Sequence, residues 1–200
     1  MKRSLLSLTL LLGLGVANIS LAATQIAVFA GGCFWGVDAV YKHVKGVNEV
    51  VSGYSGGTAN TAHYEMVSEG DTGHAEVARV IYDPAQVSYG QLLQVFFSVA
   101  HDPTQLNRQG PDVGSQYRSA IFTTTPEQKQ EAESAIKTLS DKHIYASPIV
   151  TQVVPLQQFY PAEAHHQNYL ALHPTQPYIV FHDMPKLKAL QRVFPTLYVK

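Results

Sequence analysis

A chain of 200 residues with 14 basic and 15 acidic side chains carries a formal charge of −1, which argues against nucleic acid or an anionic membrane as its main partner. Its length suits a single domain. Its one cysteine excludes any disulfide within the chain.

Residues 1–22 read as a segment outside the fold. Lys2 and Arg3 make a positive start, residues 5–16 are apolar, and Ser20-Leu21-Ala22 places small residues where a signal peptidase cuts. The apolar run, about a dozen residues, is short for a bilayer span. The expectation is a signal peptide cleaved after Ala22 and an exported protein, periplasmic or secreted, with no stable membrane anchor. An uncleaved N-terminal anchor is the alternative. Cleavage removes two of the 14 basic residues, Lys2 and Arg3. Residues 23–200 are then a single catalytic domain with an irregular tail from about 175.

Residues 25–30 read as a buried strand. Val37, Val40, Tyr41 and Val44 recur at helical spacing, and Gly46 ends that helix. Residues 47–52 return as a strand, and 53–60 form a loop rich in Gly, Ser, Thr and Asn. After the turn at 70–73, Ala75–Tyr82 is a strong strand ended by Asp83-Pro84. Ser88 caps a helix whose apolar face is Leu92, Leu93, Phe96, Val99 and Ala100. His101-Asp102-Pro103 breaks it, and 104–115 is a long polar loop. Residues 117–123 form a strand. Thr125-Pro126-Glu127-Gln128 is a capping box opening a helix to about His143. Residues 149–154 form a further strand, and Pro161 opens a short helix ending near His173-Pro174. Residues 175–200 are irregular or partly helical.

Two consecutive βαβ units predict an α/β (α+β) fold of the ferredoxin-like kind. This is a two-layer α-β plait, a mostly antiparallel sheet with helices packed on one face. A doubly wound parallel sheet is the alternative, disfavoured by the short gaps between strands.

The stretch Gly31-Gly32-Cys33-Phe34-Trp35-Gly36 holds the only cysteine and the only tryptophan, at a strand-to-helix turn. A thiol there faces the first amides of the helix. The helix dipole contributes about 0.3–1 kcal/mol. At about 1.36 kcal/mol per unit, that is less than one pKa unit. Another group must assist. Glu76 lies on a strand face with Ala78, Val80 and Tyr82, where burial would keep its carboxyl neutral and able to give a proton. A solvent-facing edge glutamate is the bland alternative. Tyr64 and Tyr117, in or beside loops, are candidate phenol donors, and Asp112 by itself reads as a turn residue. Phe34 and Trp35 make an apolar box suited to a methyl or thioether group. The nine histidines, among them His74, His101, His165 and His166, show no metal-ligand spacing, and His165-His166 reads as surface. No metal or bound cofactor is expected.

These motifs resemble the peptide methionine sulfoxide reductases of the A type. They are Gly32-Cys33-Phe34-Trp35-Gly36, then Gly70-Asp71-Thr72-Gly73-His74-Ala75-Glu76-Val77, then His101-Asp102-Pro103-Thr104-Gln105, and Gln109-Gly110-Pro111-Asp112-Val113-Gly114-Ser115-Gln116-Tyr117-Arg118-Ser119. They run in order over residues 28–170. The resemblance implies Cys33 as nucleophile on the sulfoxide sulfur, Glu76 as acid to the oxygen, and Tyr64 and Tyr117 as donors to that oxygen. It implies Phe34 and Trp35 as the wall around the substrate methyl, and Asp112 in the substrate-binding loop. The implied substrate is the S epimer of methionine sulfoxide in oxidised proteins or peptides. Many members carry further cysteines that resolve the sulfenic acid, and this chain has none. The expected reductant is therefore external: a thioredoxin-like protein or a small thiol, with dithiothreitol serving in vitro. A monomer is expected. The alternatives are a thiol peroxidase, which would want a cation beside Cys33, and a non-catalytic thioether-binding module.

Overall fold

The computed structural model describes residues 23–200, so the expected signal peptide lies outside the described residues. Strand β1 (Gln25–Gly31) runs down the middle of a six-stranded sheet. Helix α1 (Phe34–Lys42) follows and buries Val37, Val40 and Tyr41. Strand β2 (Val47–Ser55) leads through the short α2 (Tyr64–Val67) to β3 (Ala75–Tyr82). Helix α3 (Tyr89–Val95) ends in a wider turn over Phe96–Ala100. A small hairpin, β4 (Arg108–Gln109) and β5 (Asp112–Val113), precedes β6 (Ser119–Thr123) and α4 (Pro126–Asp141). The chain closes with β7 (Gln152–Pro155), β8 (Tyr160–Pro161), α5 (Tyr169–Leu172) and α6 (Met184–Val193).

The sheet order is β7-β6-β1-β3-β2-β8, antiparallel throughout except for the parallel pair β6 and β7. Its inner four strands, β6-β1-β3-β2, are the expected plait. One strand is added at each edge. The helical face buries Phe29, Ala78, Val80, Tyr82 and Ile121 against α1, α3, α4 and α6. Phe29 sits between Tyr41 and Phe96, with ring centroids 5.0 Å away on each side. The opposite face, bearing Val28, Ala30, Ala75, Val77, Ala120 and Phe122, is covered by Phe159 and Leu156 instead of helices. Arg79 lies over the Phe159 ring at 4.5 Å. Burial on both faces explains the apolar runs of β1 and β3. No helix among the described residues is long and apolar enough to cross a membrane.

Several elements depart from the sequence expectations. The loop expected from residue 53 begins later, because β2 runs to Ser55 and pairs with β3 as far as Ala75. Gly53 is required there by packing: a Cβ would meet the Tyr160 carbonyl at 2.4 Å and the Phe159 ring at 2.5 Å. Pro161 does not open a helix. It lies in the edge strand β8 opposite Gly53, a position where a missing N–H is tolerated. Tyr64 opens α2, and Tyr117 ends a tight turn over Ser115–Tyr117, ahead of the strand it was expected to start. The Thr125 capping box is one-sided. Thr125 accepts from the Gln128 amide, but the Gln128 side chain reaches the Thr124 amide and the Ile26 carbonyl, tying α4 to β1. Ser88 and Gln91 do form a full box.

The tail, expected to be irregular or partly helical, is helical over more than half its length. Residues Ile179–Val193 are helical, starting with a wide turn over Ile179–Asp183. Pro185 suits the first turn of α6, and Ile179, Asp183 and Leu190 are wholly buried. Its short apolar stripe is weak as a pattern but finds a ready surface on α1. Leu190→Ala is therefore expected to cost about 2–5 kcal/mol in urea unfolding, as for other fully buried leucines. A loss near zero would mean that the segment is not part of the core.

Candidate active site

Gly32 takes φ +87°, which lets β1 turn into α1. A Cβ there would also meet the Gln109 side chain at 2.5 Å. Gln109 in turn clasps Asp102, its amide oxygen accepting from the Asp102 N–H at 3.1 Å and its NH₂ donating to the Asp102 carbonyl at 3.0 Å. The polar motifs after His101 thus brace the turn that carries the thiol. Cys33 is the N-cap of α1 and only 8 % exposed. Burial pushes its thiol well above the ordinary range, and the charges of Glu76 and Asp183 push the same way. The Trp35 amide and Lys186 oppose them.

Glu76 approaches the same turn from β3. Phe29 pairs with Ala78 in the β1–β3 register, so two residues further along Glu76 arrives opposite Gly31. Its side chain is 2 % exposed and accepts a hydrogen bond from the Phe34 N–H at 2.9 Å. Burial pushes its carboxyl up to about 8; the Phe34 N–H opposes this and the Asp112 charge adds to it. Near pH 7 this group is a neutral acid. The edge-strand alternative is excluded by its position between β1 and β2.

Around these two lies an aromatic wall. Cys33, Phe34 and Tyr54 pack in one cluster with Trp35, Tyr64, Tyr117 and Tyr178. Burial and the Glu76 charge raise both the Tyr64 and Tyr117 phenols, so both remain protonated donors at neutral pH. Trp35 stacks on Tyr169 at 3.7 Å and stands edge-on to Tyr178 at 5.9 Å. Asp112 accepts a hydrogen bond from the Tyr178 hydroxyl, which fastens the β4–β5 hairpin to the C-terminal segment. All seven residues singled out from sequence thus share one site or its rim.

Loop clamps set their spacing. Arg118 donates to the carbonyls of Gly73, His74 and Ser115, and Ser115 donates to the Gly70 carbonyl at 2.6 Å. These bonds hold the Tyr117 turn against the entry to β3, hence against Glu76.

Sequence reading misses other members. Glu163 accepts from the Tyr54 hydroxyl at 2.8 Å and from the Tyr64 N–H at 2.9 Å, so it positions Tyr64. His166 is not a surface residue. It is 3 % exposed, accepts from Trp35 Nε1 at 3.2 Å, and its ring lies 4.4 Å from that of Tyr64. Burial and His165 lower its basicity, and the Trp35 donor assigns the proton of a neutral ring to Nε2. Tyr178, Asp183 and Lys186 come from the tail. Only the adjacent His165-His166 pair hints at any of this in the sequence. Among the described residues no group of three or more His, Cys, Asp or Glu could hold a metal ion.

This arrangement gathers a thiol, a neutral carboxylic acid and two phenols at one aromatic cluster. Comparison with known proteins gives the family. The family model described as peptide methionine sulfoxide reductase matches residues 25–196. A peptide methionine sulfoxide reductase of Mesorhizobium japonicum is 57% identical over 175 residues, covering 88% of this chain and 90% of its own. The solved methionine sulfoxide reductase A of Corynebacterium diphtheriae is 35% identical with a TM-score of 0.73, covering 78% of each chain. A Saccharomyces cerevisiae protein solved in complex with Trx2 is 23% identical, with a TM-score of 0.50, covering 76% of this chain and 91% of its own. With the family model covering nearly the whole described fold, this chain belongs to the peptide methionine sulfoxide reductases, and it reduces methionine sulfoxide.

Proposed function

We propose that this reductase acts on the S epimer of methionine sulfoxide in proteins and peptides, with Cys33 as nucleophile and Glu76 as acid. The observation that carries the reading is the buried Glu76 carboxyl, held beside Cys33 by the Phe34 amide and kept protonated to about pH 8. A sulfoxide oxygen leaves poorly unless protonated. Glu76 supplies the proton, and the Tyr64 and Tyr117 hydroxyls donate to the oxygen as charge builds on it. Cys33 sulfur attacks the sulfoxide sulfur. The S=O bond breaks and the oxygen ends on Cys33 as a sulfenic acid. Two electrons pass from the thiol to the sulfoxide sulfur, and thiol plus sulfoxide become sulfenic acid plus thioether. Phe34 and Trp35 hold the methyl group. Asp112, fixed by Tyr178, takes part in the loop that binds the substrate backbone.

Proton transfer coupled to attack also accommodates the raised pKa of the thiol. A resting thiolate is not needed if Glu76 and Cys33 exchange charge as the bond forms. With no second cysteine, the sulfenic acid is reset from outside. A thiol attacks it, releasing water and forming a mixed disulfide, and a second thiol frees Cys33. We take a thioredoxin-like protein or small thiol as that reductant; the complex of the Saccharomyces cerevisiae protein with Trx2 supports the first. The pattern of residues 1–22 supports export, with N-terminal sequencing of the mature protein as its check.

The two phenols back each other up. Tyr64→Phe and Tyr117→Phe are each expected to lower kcat by about tenfold, and the double variant by about 10²–10³-fold. The assay is methionine release from the S and R sulfoxide peptides with dithiothreitol, read by chromatography. Activity confined to the R epimer would overturn the substrate assignment. A double variant as active as the wild type would overturn the phenol roles.

A further inference from the structure

The thiol peroxidase alternative calls for a cation near Cys33, and in sequence none lies close to it before Lys42. The fold brings one from the far end of the chain. Lys186, on α6, donates to Asp183 Oδ1 at 3.1 Å, and both press on the first turn of α1. A Cβ on Gly36 would lie 2.1 Å from Asp183 Oδ1 and 2.6 Å from Lys186 Nζ. Gly36 lies one turn from Cys33. Its φ is ordinary, so the absence of a side chain serves this approach and not a backbone turn.

The Asp183 carboxylate is wholly buried, and its Oδ2 has no hydrogen-bond partner among the described residues. A buried pair of this kind adds little stability over well-packed apolar side chains. Its position is therefore better explained by what it does to its neighbour. Both charges act on the Cys33 thiol, in opposite senses, and Lys186 also acts on His101. The other groups facing this corner are Glu76 from β3, Asp112 from β5, His182 beside Asp183, and the phenols of Tyr64, Tyr117 and Tyr178. Lys186 is the one amine among them.

We propose that Asp183 and Lys186 are positioning residues that set the acidity of Cys33, Lys186 favouring the thiolate and Asp183 restraining it. Lys186 gives the thiol a counter-charge without leaving a free cation in the site. Asp183 orients the amine and keeps the resting thiol protonated. The proposal rests on Cys33 as nucleophile, but it is tested without turnover.

The test is the pH dependence of Cys33 alkylation by iodoacetamide in the full reduced chain. A Glu76→Gln background leaves the thiol as the main titrating group, and circular dichroism restricts the readings to folded protein. Lys186→Met is expected to move the inflection upward by about one unit, making alkylation about tenfold slower below it. Asp183→Asn is expected to move it downward by a similar amount, and Lys186→Arg to match the parent. Loosened packing would hydrate the thiol and move both variants downward. Lys186→Gln reads the same sign if the Met variant does not fold. Opposite shifts support the proposal; any other pattern overturns it. An inactive wild type with opposite shifts would sink the reductase chemistry and leave this pair standing.

Discussion

Glu76→Gln is expected to lower kcat by about 10²–10⁴-fold, the range for losing a positioned general acid. The same change is expected to stabilise the protein. The free carboxyl titrates near 4.5, and burial in the fold pushes it to about 8. Between those values the folded state holds a proton that the unfolded state has lost. Stability therefore falls as pH rises through that window, by on the order of 3 kcal/mol at pH 7 for this group alone. Glutamine removes that dependence while its oxygen still accepts from the Phe34 N–H. Urea unfolding at pH 5 and pH 8 reads the difference. The wild type should lose stability across the interval relative to the variant. In the active enzyme, the rate should fall as pH rises past about 8, where Glu76 loses its proton. A glutamine variant with wild-type kcat, or with unchanged stability at both pH values, would remove the acid from the account.

Cys33→Ser is expected to abolish turnover, by roughly 10⁴-fold or more. A serine hydroxyl is nearly the size of the thiol but cannot accept the oxygen as a sulfenic acid. The fold should hardly notice the change, because the glycine turn and the Glu76–Phe34 bond remain. A sulfoxide peptide should still bind, since Phe34, Trp35 and the phenols are untouched. Methionine release with dithiothreitol measures the loss, and tryptophan fluorescence on titrating the peptide measures the binding. Retained turnover would overturn the nucleophile assignment.

Much of this site is legible in the sequence. Cys33 and Glu76 stand out because a thiol at a strand-to-helix turn and a carboxyl in an apolar strand are local signals. The inner plait is legible for the same reason: β1, α1, β3 and α3 each carry their own periodicity. What escapes depends on contacts across long sequence separations. Gly53 reads as loop, and only its pairing with Val77 of β3 and with β8 makes it strand, with Phe159 and Tyr160 packed where a side chain would go. Glu163 and His166 sit in a segment without clear periodicity, and only the folded chain brings them under Tyr64 and Trp35. The tail reads as irregular or only partly helical because one turn of apolar residues is too little to mark a helix, yet it supplies Tyr178, Asp183 and Lys186 to the corner behind Cys33. In sequence nothing basic follows Cys33 before Lys42, yet the fold brings Lys186 against the first turn of its helix. Adjacency in sequence says nothing about a residue more than 150 positions away.

The proposed reaction moves an oxygen from a methionine sulfoxide to Cys33, with one acid assisting and reset from outside. The most direct measurement mixes reduced protein with excess S-sulfoxide peptide and no added thiol. The expected result is a single burst of one methionine per chain, with one added oxygen on the Cys33 peptide in mass spectrometry and none elsewhere. Continued turnover without thiol, or a burst that leaves Cys33 unmodified, would contradict it.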